Sequence, residues 1–337
     1  MRRVLSFMIK AAVSLLLLYL ALSRVNIDMV GDRLARVKFG WLALELVCIA
    51  AQLLLLALRW RSLVHACAAP LRVREALRFS MIAGFFNQTL PSSVGGDALR
   101  IWLLGRRSGW RIAAYSVLLD RVIGVMALAA IVLACLPWTL VLVRNPIGRM
   151  ALLLIGVGCI AAGIVFLGLG SRRLRLLQRW TPTRHLADAA AIGLRLARSA
   201  RLAVPVTALS LSIHLLTVLA AWCAARSVAA SFSLADALFL MPPVVLISIV
   251  PISIAGWGVR EGVMVVACGY AGLPQSDGLI VSLLFGAGFF LIGMIGGLAW
   301  IAGSEHVPIA GILPTDALAA PPSAASIIRG DSRDTRR

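Results

Sequence analysis

The chain has 337 residues, 61% hydrophobic and 14% charged, and its 33 Lys and Arg against 14 Asp and Glu leave a net charge of +19. A mean hydropathy of +0.94 excludes a soluble domain, and several apolar runs approach the length that crosses a hydrocarbon core. The basic residues lie between those runs without an interleaved aromatic platform or a recognition-helix pattern, which argues against nucleic acid as a partner and reads as topology signal and head-group contact.

Residues 4–23 follow Arg2 and Arg3 and form the first apolar run; a transmembrane helix is favoured over a secretory signal because a polytopic chain follows at once. The second run, 41–58, opens on Trp41 and closes on Arg59, Trp60 and Arg61, the aromatic and basic edge expected at a membrane surface. Residues 79–90 are apolar but too short to span, and Pro91, Gly95 and Gly96 interrupt them before a second short stretch at 98–104. Broken backbone in lipid is tolerated only where protein or a water-filled cavity satisfies it, so two half-helices meeting at a bend, a re-entrant hairpin, is the expected form.

Further spans are predicted at 113–138 and 150–169. The segment 171–201 carries Arg172, Arg173, Arg175, Arg179, Arg184, Arg195, Arg198 and Arg201 against the single acid Asp188, which predicts a cytoplasmic basic loop. After a span at 202–225 comes a second broken region, 235–273, with MPPVVLISIVPISIAGWGVREG at its centre, then a last span at 279–302. The tail 303–337, rich in Pro, Ala, Ser and Arg, reads as disordered.

Catalytic signals are sparse. Cys48, Cys67, Cys135, Cys159, Cys223 and Cys268 are scattered and form no CxxC pair, and His65, His185, His214 and His306 lack metal-ligand spacing. With no GxSxG, HExxH or GxxxxGK[ST], a hydrolase, a metalloprotease and a nucleotide-driven pump are weakly supported; no metal, cofactor or catalytic residue is assigned.

A shift of 160 residues sets Pro91 on Pro251, Ser93 on Ser253, Gly96 on Gly256 and Arg100 on Arg260. With the amino terminus inside, the first hairpin enters from the cytoplasm and the second from outside, an inverted repeat of the kind that binds substrate where the two breaks meet. The expected fold is an all-α polytopic membrane protein with about six full transmembrane helices and two re-entrant broken hairpins. Residues 1–302 form one transmembrane domain with repeat halves at about 41–138 and 202–302, and both termini are cytoplasmic. That count leaves Arg24, Arg33, Arg36 and Lys38 outside, partly offset by Asp28 and Asp32.

Leu90 and Pro91 followed by Gly95, Gly96, Asp97 and Arg100, a span carrying Asp120 and Arg121, then Pro251, Ser253, Gly256, Gly258, Arg260 and Glu261, together resemble the lysylphosphatidylglycerol synthase transmembrane-region (flippase-like) family. The resemblance covers residues 7–301 or so and implies a bacterial or archaeal inner-membrane protein that moves lipids or lipid-linked sugars between leaflets. The namesake enzymes carry an aminoacyl-transferase domain after the membrane region; this chain ends about 35 residues past its last predicted span, so synthesis of lysylphosphatidylglycerol is not expected.

Intramembrane charges are functional candidates, which selects Asp97, Arg100, Asp120, Arg121, Arg260 and Glu261. Opposite charges can pair and leave a guanidinium fork for a phosphate. Plainer roles stand beside these: Asp97 as a helix cap, Arg121 reaching the head groups, Asn87 closing backbone at the kink, and Gly95, Gly96, Gly256 and Gly258 permitting tight turns. Three functions fit. A carrier would take anionic phospholipid, hopanoid or polyprenyl-phosphate sugar. An intramembrane transferase would use Asp97 or Asp120 as base. A scaffold would hold a glycosyltransferase partner.

Overall fold

The computed structural model describes residues 16, 19, 37–89, 95–143, 145–171, 181–249 and 256–302. The span expected at 4–23 and the tail 303–337 lie outside them, Leu16 and Tyr19 apart, as do Leu90, Pro91, Ser93, Pro251 and Ser253. In chain order the helices are α1 (Phe39–Ala66), α2 (Val73–Thr89), α3 (Gly95–Ser108), α4 (Trp110–Leu142), α5 (Pro146–Leu169), α6 (Thr181–Arg198), α7 (Ala200–Ser227), α8 (Leu234–Ser248), α9 (Val259–Tyr270) and α10 (Gln275–Ile301). The described residues contain no strand.

Length separates two kinds of helix. α1, α4, α5, α7 and α10 have 24 to 33 residues and are apolar enough to cross a membrane. At about 1.5 Å per residue each exceeds the roughly 30 Å of a hydrocarbon core. α2, α3, α8 and α9 have 17, 14, 15 and 12 residues, about 18 to 26 Å, and fall short of it. The chain is thus an all-α polytopic membrane protein, with five of the six expected full spans among the described residues.

Local chemistry sets the ends. Asn145 Oδ1 accepts the N–H groups of Ile147 and Gly148 at 2.8 and 3.2 Å ahead of Pro146, and so starts α5 where a proline costs no hydrogen bond. Ser233 and Asp236 cap α8 reciprocally. Ahead of α9, Gly256 and Gly258 hold φ of 80° and 85°, left-handed values that a side chain would strain. The Gly258 N–H donates to Glu261 Oε2 at 2.6 Å, which closes that turn.

α2 and α3 form an antiparallel pair: Asn87 meets Gly96 while Glu75 and Phe79 meet Arg107. α8 and α9 pair likewise, with Ser248 beside Gly256 and Leu234–Ser248 packed along Val259–Tyr270. The set α1 to α4 and the set α7 to α10 make matching contacts. α2 packs on α10 as α8 packs on α4, α1 packs on α10 as α7 packs on α4, and α1 packs on α7. α1 and its counterpart α7 run antiparallel: the Lys38 N–H donates to the Ser227 carbonyl at 2.8 Å, and Arg59 reaches Ser210. Ala220, Ala221, Ala224 and Ala225 on α7 are fully buried, and such small residues let spanning helices approach closely where no hydrophobic force between helices exists.

One expectation gains detail and one needs correction. The basic segment 171–201 contains α6, with Ala187, Ala189, Ala190 and Leu196 buried and Arg184, Arg195 and Arg198 exposed, so these three arginines lie on one face of an amphipathic helix. The first described span does not stop at Leu58. α1 runs on to Ala66, and Arg59 and Trp60 are 4% and 0% exposed, so they are interior groups and not a membrane-surface edge.

Candidate functional site

A chain of charges crosses the centre of the first helix set. Arg59 on α1 donates from Nε to Asp120 Oδ1 on α4 at 2.9 Å and from Nη1 to Ser210 Oγ on α7 at 3.2 Å. Arg100 on α3 donates from Nη1 to Asp120 Oδ2 at 3.0 Å. It also pairs through Nη2 with Asp97 Oδ1, whose other oxygen takes Arg121 of α4. The order is Arg121, Asp97, Arg100, Asp120, Arg59, and these five groups sum to +1. It runs from a half-exposed end to a buried one: the Arg121 side chain is 42% exposed, those of Arg100 and Asp120 5% and 2%.

Neighbouring residues shape the room for these charges. The Arg100 guanidinium lies over Trp60 at 5.3 Å, and the Trp60 indole N–H donates to Ser116 Oγ at 3.3 Å. A Cβ on Gly124 would stand 3.3 Å from both terminal nitrogens of Arg59, so a glycine there gives that guanidinium its space. A buried ion left without its partner costs about 3–5 kcal/mol, which is why a low-dielectric interior holding Arg59 and Arg100 also holds Asp120.

The second cluster is smaller and electrically neutral. Arg260 on α9 donates from Nη2 to Glu261 Oε1 at 2.6 Å and from Nε to Ser282 Oγ on α10 at 3.1 Å; the Ser282 hydroxyl donates in turn to Glu261 Oε1 at 3.1 Å. The guanidinium packs over Trp257 and Phe285 at 5.2 and 5.6 Å. Gly286 leaves the space it fills, since a Cβ there would overlap Arg260 Nη2.

Of the residues singled out from the sequence, the structure brings Asp97, Arg100, Asp120 and Arg121 into one network and Arg260 with Glu261 into another. The expectation of an open guanidinium fork is not met: Arg100 is 4% exposed, both its terminal nitrogens are engaged, and only its buried Nε lacks a partner. Arg260 is 8% exposed and tied to Glu261 and Ser282. Asn87 takes the plainer role, its Oδ1 accepting the Gly96 N–H at 2.9 Å across the bend. Gly96 lies inside α3, where its bare Cα lets α3 approach the Ala83 carbonyl, while Gly95 opens that helix. Sequence reading missed Arg59, Ser210, Trp257 and Ser282. The signal for Arg59 was weak: Trp60, Leu63, Val64 and Ala66 follow it, but Arg61, Ser62 and His65 interrupt them.

Volume and charge do not coincide. A recess of about 810 Å³ opens between the end of α4, the start of α8 and the end of α9, lined by Trp138, Asn145, Asp236, Phe239 and Tyr270, with the Trp138 and Phe239 rings stacked at 6.4 Å. Neither arginine cluster lines it. Open space between lipid-facing helices is expected of any such bundle, whereas buried charge is not, so the clusters and not the recess mark the candidate site.

A family model described as the lysylphosphatidylglycerol synthase TM region matches residues 7–297. No curated protein matches the chain.

Proposed function

Because the chain belongs to the lysylphosphatidylglycerol synthase transmembrane-region family, we propose that this multi-pass membrane protein is a carrier that moves anionic lipids or lipid-linked sugars between the leaflets of a bacterial inner membrane, with both termini cytoplasmic. The observation that carries the reading is the graded charge chain from Arg121 through Asp97 to Arg100 and Asp120, set where the short helix α3 packs against the spanning helix α4. In this reading α2–α3 and α8–α9 are re-entrant: each is a pair of antiparallel helices too short to cross, and the antiparallel relation of α1 to α7 points the two hairpins in from opposite faces.

The mechanism is anion exchange. A head-group phosphate arriving at half-exposed Arg121 competes with Asp97, because a guanidinium binds phosphate and carboxylate with the same paired N–H geometry. Once Asp97 is displaced, Arg100 becomes the next partner, and Asp120 keeps Arg59 neutralised meanwhile. The net +1 of the five groups favours an anion among them, while the acyl or prenyl tails stay in lipid. Asp97 and Asp120, the carboxylates a transferase would use as base, are committed to guanidinium partners, which supports transport over chemistry.

The test is reconstitution in liposomes with fluorescent lipids of anionic and zwitterionic head group, followed by quenching from outside. Wild-type protein should move the anionic lipid faster, Arg100→Ala should abolish the preference, and Arg260→Ala should slow movement. Rates equal to protein-free liposomes, or unchanged in both variants, would overturn the assignment.

A further inference from the structure

The clusters above leave one buried acid unexplained. Five acids are buried among the described residues: Glu45, Asp97, Asp120, Glu261 and Asp277. Asp97, Asp120 and Glu261 are matched by guanidiniums, and Asp277 Oδ2 accepts the Ser231 N–H at 2.6 Å. Glu45, in the second turn of α1, is 1% exposed, and its Oε1 has no hydrogen-bond partner among the described residues. No described residue forms an ion pair with it.

The position is built to hold this carboxyl. A Cβ on Gly288 of α10 would lie 2.9 Å from Glu45 Oε1, so the group points across the α1–α10 contact into a space that only a glycine leaves open. Gly286, two residues earlier on α10, does the same for the Arg260 guanidinium, and the helix that covers Glu45 also covers the second cluster. On α1, steps of seven residues put Lys38, Glu45, Gln52 and Arg59 on one face, since seven residues make close to two turns. Lys38 is exposed, the Gln52 Oε1 is buried without a partner, and Arg59 belongs to the first cluster. A polar line therefore runs from solvent past Glu45 to the charge chain.

The described groups around Glu45 offer it no counter-charge. α1 itself presents Cys48, and α7 presents Cys223, both buried and uncharged. α10 presents Gly288, with Asp277 three turns back. Arg226 of α7 is drawn over Trp41 at 5.6 Å. Asp120 and Arg121 of α4 are engaged four turns further along α1, and Glu75 of α2 is engaged by Arg107. An ionised carboxylate so placed carries a desolvation cost of several kcal/mol that a bound proton removes.

We propose that Glu45 is a proton-binding site that couples the proton gradient to lipid movement: the neutral acid packs against Gly288, and opening of the α1–α10 contact releases the proton as the arginine clusters exchange cargo. The coupling half of this rests on the carrier reading; the proton site does not. Uptake makes one O–H bond on the carboxylate, release breaks it, and no other reactant is needed.

Two arms keep the readings apart. Infrared difference spectroscopy of the full chain in lipid nanodiscs at neutral pH should show a protonated-acid carbonyl band that shifts in heavy water. The band should be absent in Glu45→Gln, displaced in Gly288→Ala and retained in Glu75→Gln. In liposomes, a pH gradient should shift the steady-state leaflet ratio of the anionic lipid by about tenfold per pH unit for one proton per lipid, and Glu45→Gln should reduce that shift to none. Absence of the band in folded wild-type protein overturns the proton site whether or not lipid moves. A gradient response that survives in Glu45→Gln overturns the coupling. A wild type that moves no lipid overturns the carrier reading and the coupling with it, while the infrared arm still decides Glu45.

Discussion

Arg59 and Asp120, 61 residues apart in sequence, meet at 2.9 Å in the interior, and the second oxygen of the same carboxylate takes Arg100 at 3.0 Å. One side chain of α4 thus fastens both the first described span and the first hairpin. Replacing Asp120 by Ala leaves buried Arg59 with no carboxylate and only Ser210 as a side-chain partner, and leaves Arg100 with Asp97 alone; the expected loss is about 3–5 kcal/mol of stability. It should appear as a lowered unfolding midpoint in detergent and reduced recovery of monodisperse protein. Adding Arg59→Met to Asp120→Ala should cost less than the sum of the two single changes, because the double variant removes a charge that Asp120→Ala strands. Additive losses would show that the two groups do not act as a pair.

The first hairpin turns on how closely its arms approach. A Cβ on Gly96 would overlap the Ala83 carbonyl and stand 2.6 Å from Asn87 Oδ1, the atom that accepts the Gly96 N–H. Gly84, on the other arm, has nothing within 4 Å of its Cβ position. Gly96→Ala should therefore destabilise by about 1–3 kcal/mol, the cost of overpacking. Gly84→Ala should be neutral or slightly stabilising, because alanine is the better helix former. Thermal unfolding of both variants checks the contrast, and equal effects would contradict the close approach.

Length and hydropathy made the fold legible. Each apolar run predicted at or beyond residue 41 became a spanning helix, and each run interrupted by Pro and Gly became a pair of short ones. The site was legible only in part, because composition marks a charge without showing which way it faces. Asp97, Arg100, Asp120 and Arg121 stood out as charges in apolar surroundings and do meet. Arg59, beside Trp60 and Arg61, looked like an ordinary helix end, and its inward direction depends on the rotation of α1 against α4. Glu45 lay inside a predicted span without being picked out. The repeat offset of 160 pairs Gly96 with Gly256, yet one sits within α3 and the other in a left-handed turn before α9, so the match in residue type hides different backbone roles.

In the second cluster Ser282 and Gly286 support Arg260 in different ways, one by a hydrogen bond and the other by absence of a side chain. Ser282→Ala removes a hydroxyl that bridges Arg260 and Glu261, for an expected loss of about 1–2 kcal/mol. Gly286→Ala puts a methyl group where the guanidinium lies and should displace it, so that this variant moves lipid as slowly as Arg260→Ala. Parallel measurement of unfolding and translocation separates the two effects. Gly286→Ala protein that is as active as wild type would mean that the guanidinium position is immaterial.

At the open end of the first hairpin, Glu75 accepts the Arg72 N–H at 3.0 Å and pairs with Arg107 at 2.5 Å. These partners, the backbone N–H first, hold its carboxyl below the ordinary value of 4.5. A carboxyl depressed in the folded state contributes stability above its ordinary value and loses it as pH falls through the lower folded one. With both side chains partly solvated, the pair is worth at most about 1 kcal/mol. The stability difference between wild type and Glu75→Gln should accordingly be flat from neutral pH down to about 5 and shrink toward zero below about 4. Denaturant unfolding across that range, at low salt to limit screening, gives the curve. A difference that grows on acidification would mean that the carboxyl is held above its ordinary value, and that Arg107 is not its partner in solution.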